Sequence, residues 1–153
     1  MAAREELSLK CVLQRVLSAR VTVEGEAVGE IERGILILAG VEKLDDERVM
    51  ESAAKKIISL RIFSDANDKM NLDVKEVGGA ILAVSQFTLA GSIDKGRRPG
   101  FDNAAPPERA KELFDHFVEA MRREEIEVHT GRFRAMMQVS LVNDGPVTFT
   151  LSV

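Results

Sequence analysis

A single cysteine, two histidines and no excess of positive charge mark what this 153-residue chain has little of. The lone Cys11 excludes an intrachain disulfide framework and any multi-cysteine zinc site, and it fits the cytosol. It reads as a small buried hydrophobe. With only His116 and His129, no His/Cys/Asp spacing suits a metal, and neither histidine has the sequence surroundings of a catalytic triad. His116 falls off the apolar stripe of a helix and His129 alternates with Val128 on a strand, so both read as outward-facing. No Walker loop or dinucleotide fingerprint occurs, since Gly78-Gly79 is a turn pair; no cofactor is expected. No apolar run approaches the ~20 residues of a membrane span. The first eight residues carry Arg4, Glu5 and Glu6 and lack the apolar stretch of a secretory signal. The 21 basic and 25 acidic residues give a net charge of −4. That argues against broad nucleic-acid binding, DNA included, while leaving room for a local basic patch.

What is present is an ordinary globular composition, 45% hydrophobic and 30% charged, at a length suited to one domain. Residues 9–153 read as that domain and Met1 to Ser8 as a flexible extension. Lys10–Val16 roughly alternates; Arg20–Glu24 and Ala27–Ile31 flank Gly25 as a hairpin would. Ile35–Leu38 and Ala80–Val84 are continuously apolar, as in strands covered on both faces. Asp45 and Asp46 stand where an N-cap belongs, before a helix whose apolar positions include Val49, Ala53 and Ile57. Arg61–Phe63 reads as a short strand. Pro106-Pro107 open a second helix, with the stripe Ala110, Leu113, Phe114, Phe117, Val118, Met121. Ile126–Thr130, Met137–Val142 and Pro146–Val153 read as strands. The expected fold is α+β: a mostly antiparallel sheet, β-barrel-like, with two main helices.

Three segments invite a chemical reading. Ser85-Gln86-Phe87-Thr88 ends a buried strand in hydrogen-bonding side chains. It is either a strand leaving the core or a polar cluster facing a pocket, with Thr88 or Ser85 as nucleophile or donor. Asn143-Asp144-Gly145-Pro146 reads from composition alone as a plain turn between two strands. Lys95-Gly96-Arg97-Arg98-Pro99 is a solvated loop by default, although arginine forks suit phosphates.

Taken together these segments resemble the D-aminoacyl-tRNA deacylase family. The resemblance runs from about Lys10 to Val153. It is carried by Val12–Val16, Gly40–Lys43, Arg61–Phe63, Lys69–Leu72, Ser85–Leu89, Gly131–Phe133 and Val139–Thr148. It implies a homodimeric cytoplasmic hydrolase that cleaves the ester between a D-amino acid, or glycine, and the 3′ end of tRNA, without a cofactor or metal. It further implies that Gly145-Pro146 is a cis peptide inserted into the partner subunit's site, where its carbonyls hold the substrate amino group and exclude an L side chain. By the same resemblance Arg15 braces this motif, and Ser85, Gln86, Phe87 and Thr88 form the catalytic pocket floor. Phe133 packs near the terminal adenine, and Ala110 and Met137 line the pocket. Lys95, Arg97 and Arg98 are candidate tRNA contacts. The chain departs from the family pattern at Gly91-Ser92-Ile93, at Gly100 and in the Met1–Ser8 extension. No evident base accompanies Thr88. The expected mechanism is therefore positioning, oxyanion stabilisation by backbone N–H groups and assistance from the tRNA 2′-OH. The alternatives are a non-catalytic RNA-end or nucleotide-binding module on the same fold, and a β-rich dimerising scaffold.

Overall fold

A computed structural model describes residues 9–153; the expected Met1–Ser8 extension lies outside the described residues. Its organising element is a long first strand, β1 (Lys10–Val23). One edge of β1 pairs with β3 (Gly34–Gly40) and then with β2 (Glu26–Ile31); the other pairs with β8 (Gln138–Ser152), all antiparallel. Beyond β3 the sheet continues through β6 (Ala80–Ser85) and β7 (Glu127–Thr130), both parallel. A small antiparallel pair, β4 (Phe63–Ser64) with β5 (Met70–Leu72), stands apart.

The apolar runs of β3 and β6 are explained by what covers them. Alternate residues Ile35, Ile37, Ile81 and Ala83 face helices α1 (Glu47–Ser59) and α2 (Pro107–Arg122). Their neighbours Leu36, Leu82 and Val84 face a second cluster with Val16, Val21 and Ile31. A strand apolar on both sides is the signature of parallel pairing. The second cluster is enclosed because β2 curls toward β7. A Cβ at Gly29 would lie 2.2 Å from the Thr130 carbonyl oxygen, so only glycine permits that approach. The result is the expected strand-rich, barrel-like core with two helices.

Two readings are corrected in detail. Lys10–Val16 and Arg20–Glu24 belong to one strand, because β8 pairs β1 along its whole length. Met137–Val142 and Pro146–Val153 are likewise not two strands joined by a hairpin turn. Both halves pair with the same strand in the same direction, and residues 144–147 bulge out opposite Arg15, between Gln14↔Thr148 and Val16↔Asn143. A hairpin would have reversed the chain; a bulge only displaces it. The Gly25 hairpin does form, with positive φ at Glu24 and Gly25, as tight hairpin turns require.

Helix α1 separates the roles of the two aspartates before it. Asp46 is the N-cap, accepting the Val49 N–H at 3.1 Å. Asp45 is buried; one carboxylate oxygen accepts the Glu42 N–H at 2.8 Å while the other has no partner among the described residues. Burial is the main cause that raises its pKa from 3.8 to about 6, with the neighbouring Asp46 charge adding to it. A carboxyl raised by folding favours the folded state in its protonated form. That contribution is complete below pH 3.8 and is lost as pH rises through 6. Asp45→Asn imitates the protonated group. Its melting temperature, scanned from pH 5 to pH 7.5, is expected to gain a few degrees on wild type as pH rises; parallel curves would contradict this account.

Candidate active site

The polar segment Ser85–Thr88 emerges at the carboxyl end of β6. Ser85 is the last residue of the strand, paired with Ala39. The backbone then turns: the Gln86 N–H bonds the Ala39 carbonyl at 2.7 Å, and Phe87–Ala90 form one turn of 3₁₀ helix. This turn sits on the end of β3, where a Cβ on Gly40 would come within 2.8 Å of the Leu89 Cβ. The main chain here needs glycine for close approach rather than for conformation. The side chains of Ser85, Gln86 and Thr88 make no hydrogen bond to any other described residue. The N–H groups of Phe87 and Thr88 are engaged in no backbone hydrogen bond either, as expected of a helical turn's first donors. Polar groups without a hydrogen-bond partner among the described residues thus stand together at a strand end.

Neighbouring segments converge on the same edge. Because β7 is parallel to β6 with Ala83 opposite Thr130, the loop 131–137 leaves the sheet beside Ser85–Thr88. Phe133 in that loop packs half-buried against the helix-side core, and Ala110 is buried in the same core on the first turns of α2. Ser85 shares that face by strand alternation. Met137 is on the other face, against the second core, with a Gly131 Cβ position 2.7 Å from its sulfur. The basic tip Lys95–Arg98 is exposed on a hairpin closed by Ser92 and Gly100. It is tied to the turn by Phe101, whose ring stands 5.1 Å from that of Phe87.

Gly145-Pro146 lies elsewhere. The bond is cis and Gly145 has φ +116°. Arg15, buried within the sheet, donates to the Ile62 carbonyl at 2.7 Å and pairs with the Asp144 carboxylate at 3.1 Å. The Asn143 amide closes the neck of the bulge by donating to the carbonyls of Arg15 at 2.9 Å and Val147 at 3.1 Å. Register puts Gly145 level with Arg15, Ile35 and Ile81, three strands from β6. It is therefore roughly 14 Å across the sheet from Ser85 and roughly 13 Å along it. Within one chain the two motifs do not meet.

The outer side of β8 is open. It pairs only with β1 among the described residues, and Leu141, Val142, Phe149 and nearby Leu17 are each at least 36% exposed. A cavity of about 240 Å³ on this side is lined by Ser18, Arg20, Glu30 and Leu141 among others. It holds no nucleophile–base pair, and the polar strand end is the better site for chemistry.

The two histidines and the cysteine lie away from this site. His116 pairs with Glu51 at 2.7 Å between the helices, and His129 with Glu127 at 2.6 Å on β7. His129 stands opposite Leu82, about 10 Å along the sheet from Ser85. Cys11 is buried in the helix-side core, and burial pushes its thiol up to about 12. No group of three or more His, Cys, Asp or Glu that could hold a metal occurs among the described residues. No helix among them is long and apolar enough to cross a membrane. The sequence reading missed the Ile62 carbonyl that anchors Arg15, the Asn143 tie and the Phe101 ring against Phe87. Asn143 alone was flagged by its motif.

Comparison with known proteins shows the family. The family model described as D-Tyr-tRNA(Tyr) deacylase matches residues 12–152. A D-aminoacyl-tRNA deacylase of Pelobacter propionicus is 64% identical over 143 residues, 94% of this chain and 99% of the relative. The Escherichia coli protein of the same name is 56% identical over 142 residues, 93% of this chain and 98% of its own. Among solved structures, the c-Myc DNA Unwinding Element Binding Protein superposes with a TM-score of 0.87 at 41% identity, covering 93% of this chain and 97% of that one. A probable eukaryotic D-amino acid tRNA deacylase gives 0.82 at 16% identity, over 96% and 100%; that likeness shows the fold alone. The chain belongs to the D-Tyr-tRNA(Tyr) deacylase family.

Proposed function

We propose that this chain hydrolyses the ester joining a D-amino acid to the 3′ end of tRNA, releasing the amino acid and free tRNA. The observation that carries the reading is the unbonded donor set at Ser85–Thr88, at a strand end, in a chain of this family. An aminoacyl ester is already activated, so hydrolysis needs placement and charge stabilisation more than a strong base. The N–H groups of Phe87 and Thr88 suit the developing oxyanion, and the terminal ribose 2′-OH assists the attacking water. Phe133 borders the terminal adenine, while Ala110 and Met137 back the pocket walls from the two core faces.

The chiral clamp in this reading is Gly145-Pro146 supplied by a second copy. Two observations support a partner: the motif and the donor set are far apart in one chain, and β8 leaves Leu141, Val142 and Phe149 exposed on its open side. A backbone reader rejects an L side chain by clash and tolerates varied D side chains. Glycyl-tRNA, mischarged on tRNA(Ala), offers no side chain to reject and is cleaved too. The cytoplasm is the compartment such substrates require. Duplex DNA is not the partner in this reading, because it carries no aminoacyl ester to cleave.

The direct test is deacylation of matched D-tyrosyl- and L-tyrosyl-tRNA at low enzyme concentration. Rapid loss of the D ester with the L ester spared is expected. Loss of both would keep an esterase and remove the clamp; loss of neither, with folded protein, would favour a non-catalytic RNA-end-binding module.

Thr88 orients the ester in this mechanism rather than forming an acyl-enzyme, because no base accompanies its hydroxyl. Thr88→Ala is expected to keep more than about a tenth of the turnover, a smaller loss than removal of a general base or its nucleophile brings. Inactivity of that variant together with an ester trapped on Thr88 of the wild type would overturn the assignment.

A further inference from the structure

The loop that follows β7 carries Arg132 and Arg134 on either side of Phe133. Both arginines are exposed, and neither forms an ion pair or hydrogen bond through its side chain among the described residues. The loop 131–137 contains no carboxylate. Across the strand end, the hairpin 91–103 presents Lys95, Arg97 and Arg98, against its own Asp94 and Asp102. Five cations against two carboxylates therefore flank Ser85–Thr88 in a chain whose net charge is −4. On α2, by contrast, Arg109 is tied to Glu47 and Glu112, Lys111 to Asp115 and Arg122 to Glu119.

Arg134 adds an observation of its own. Its backbone sits at φ +63°, a left-handed position that glycine occupies more easily than any residue with a Cβ. The backbone at this position would accept glycine without strain.

We infer that Arg132 and Arg134 form a second phosphate-holding arm, facing the Lys95–Arg98 tip across the Ser85–Thr88 turn, and that the pair of arms grips the backbone of the RNA acceptor end. This deepens, and rests on, the deacylase reading above. Phosphate contacts of this kind set register and affinity, and they leave the reacting groups untouched. They also explain how an acidic protein approaches a polyanion: the patch is local and faces only the end of the molecule.

The test is steady-state deacylation of D-tyrosyl-tRNA by the full-length protein carrying Arg132→Gln and Arg134→Gly together, at several salt concentrations. Arg134→Gly suits the backbone, so the melting temperature is expected to stay at or above that of wild type. KM is expected to rise about tenfold at low salt with kcat unchanged. The slope of log KM against log salt is expected to fall by about 1.4 to 1.8, as two lost phosphate contacts predict. Arg97→Ala with Arg98→Ala should act in the same sense. An unchanged KM and slope would overturn the second arm. So would a fall in kcat with KM unaltered, because the loop would then act through the site's shape. Absence of turnover by wild type would instead overturn the deacylase reading, and the arm with it.

Discussion

Gly145→Ala is expected to lower kcat/KM for D-tyrosyl-tRNA at least about 100-fold, the scale of a misplaced positioning group. The added Cβ would stand 2.6 Å from the Arg15 Nη2 and 2.9 Å from the Val147 Cγ2. The guanidinium is not a loose end that can swing aside, because the Ile62 carbonyl and Asp144 hold it. The residue also sits at φ +116°, where a side chain costs of order 1–3 kcal/mol. The bulge must therefore shift, and with it the backbone carbonyls of the proposed clamp. The measurement is single-turnover deacylation of D and L esters beside a melting curve. Wild-type rate and selectivity in a folded variant would remove Gly145 from the site.

Arg15→Ala is the second large effect. It strips the buried Ile62 carbonyl of its donor and leaves Asp144 without its ion pair. The expected loss is about 2–4 kcal/mol, or about 5–15 °C in melting temperature. Activity should fall more than tenfold even at 20 °C, where the variant remains folded, because the bulge loses its anchor. Arg15→Lys keeps the charge but not the fork, so it cannot serve both partners and should recover part of the stability and less of the activity. A lysine variant equal to wild type in both would show that charge alone suffices.

These effects rest on an arrangement only partly visible in the amino-acid order. The apolar runs 35–38 and 80–84 announce strands covered on both faces, and the stripe Ala110 to Met121 announces α2, because burial repeats at the period of each element. Gly25 announces its hairpin for the same local reason. The continuity of β8 is hidden: Asn143–Pro146 has turn composition whether the chain reverses or bulges, and only pairing with β1 decides. The separation of Ser85–Thr88 from Gly145-Pro146 is hidden as well, since strand order is a property of the sheet. Family resemblance identified both motifs, but the roughly 14 Å between them across the sheet comes from register. The charge role of Arg132 and Arg134 is hidden too, because it depends on the strand end beside their loop, which only the sheet order supplies.

The open edge of β8 has a kinetic consequence. Amides in β3 and β6 lie between two cores and should exchange hydrogen last, near the rate of global unfolding. The outward amides of β8, beside the Gly145 bulge, have no such cover in a single chain. If a second copy covers them, their protection must obey mass action. Diluting the protein would then speed exchange along β8 while leaving β3 and β6 unchanged, and the hydrogens flanking residues 143–147 would report the fraction of assembled sites.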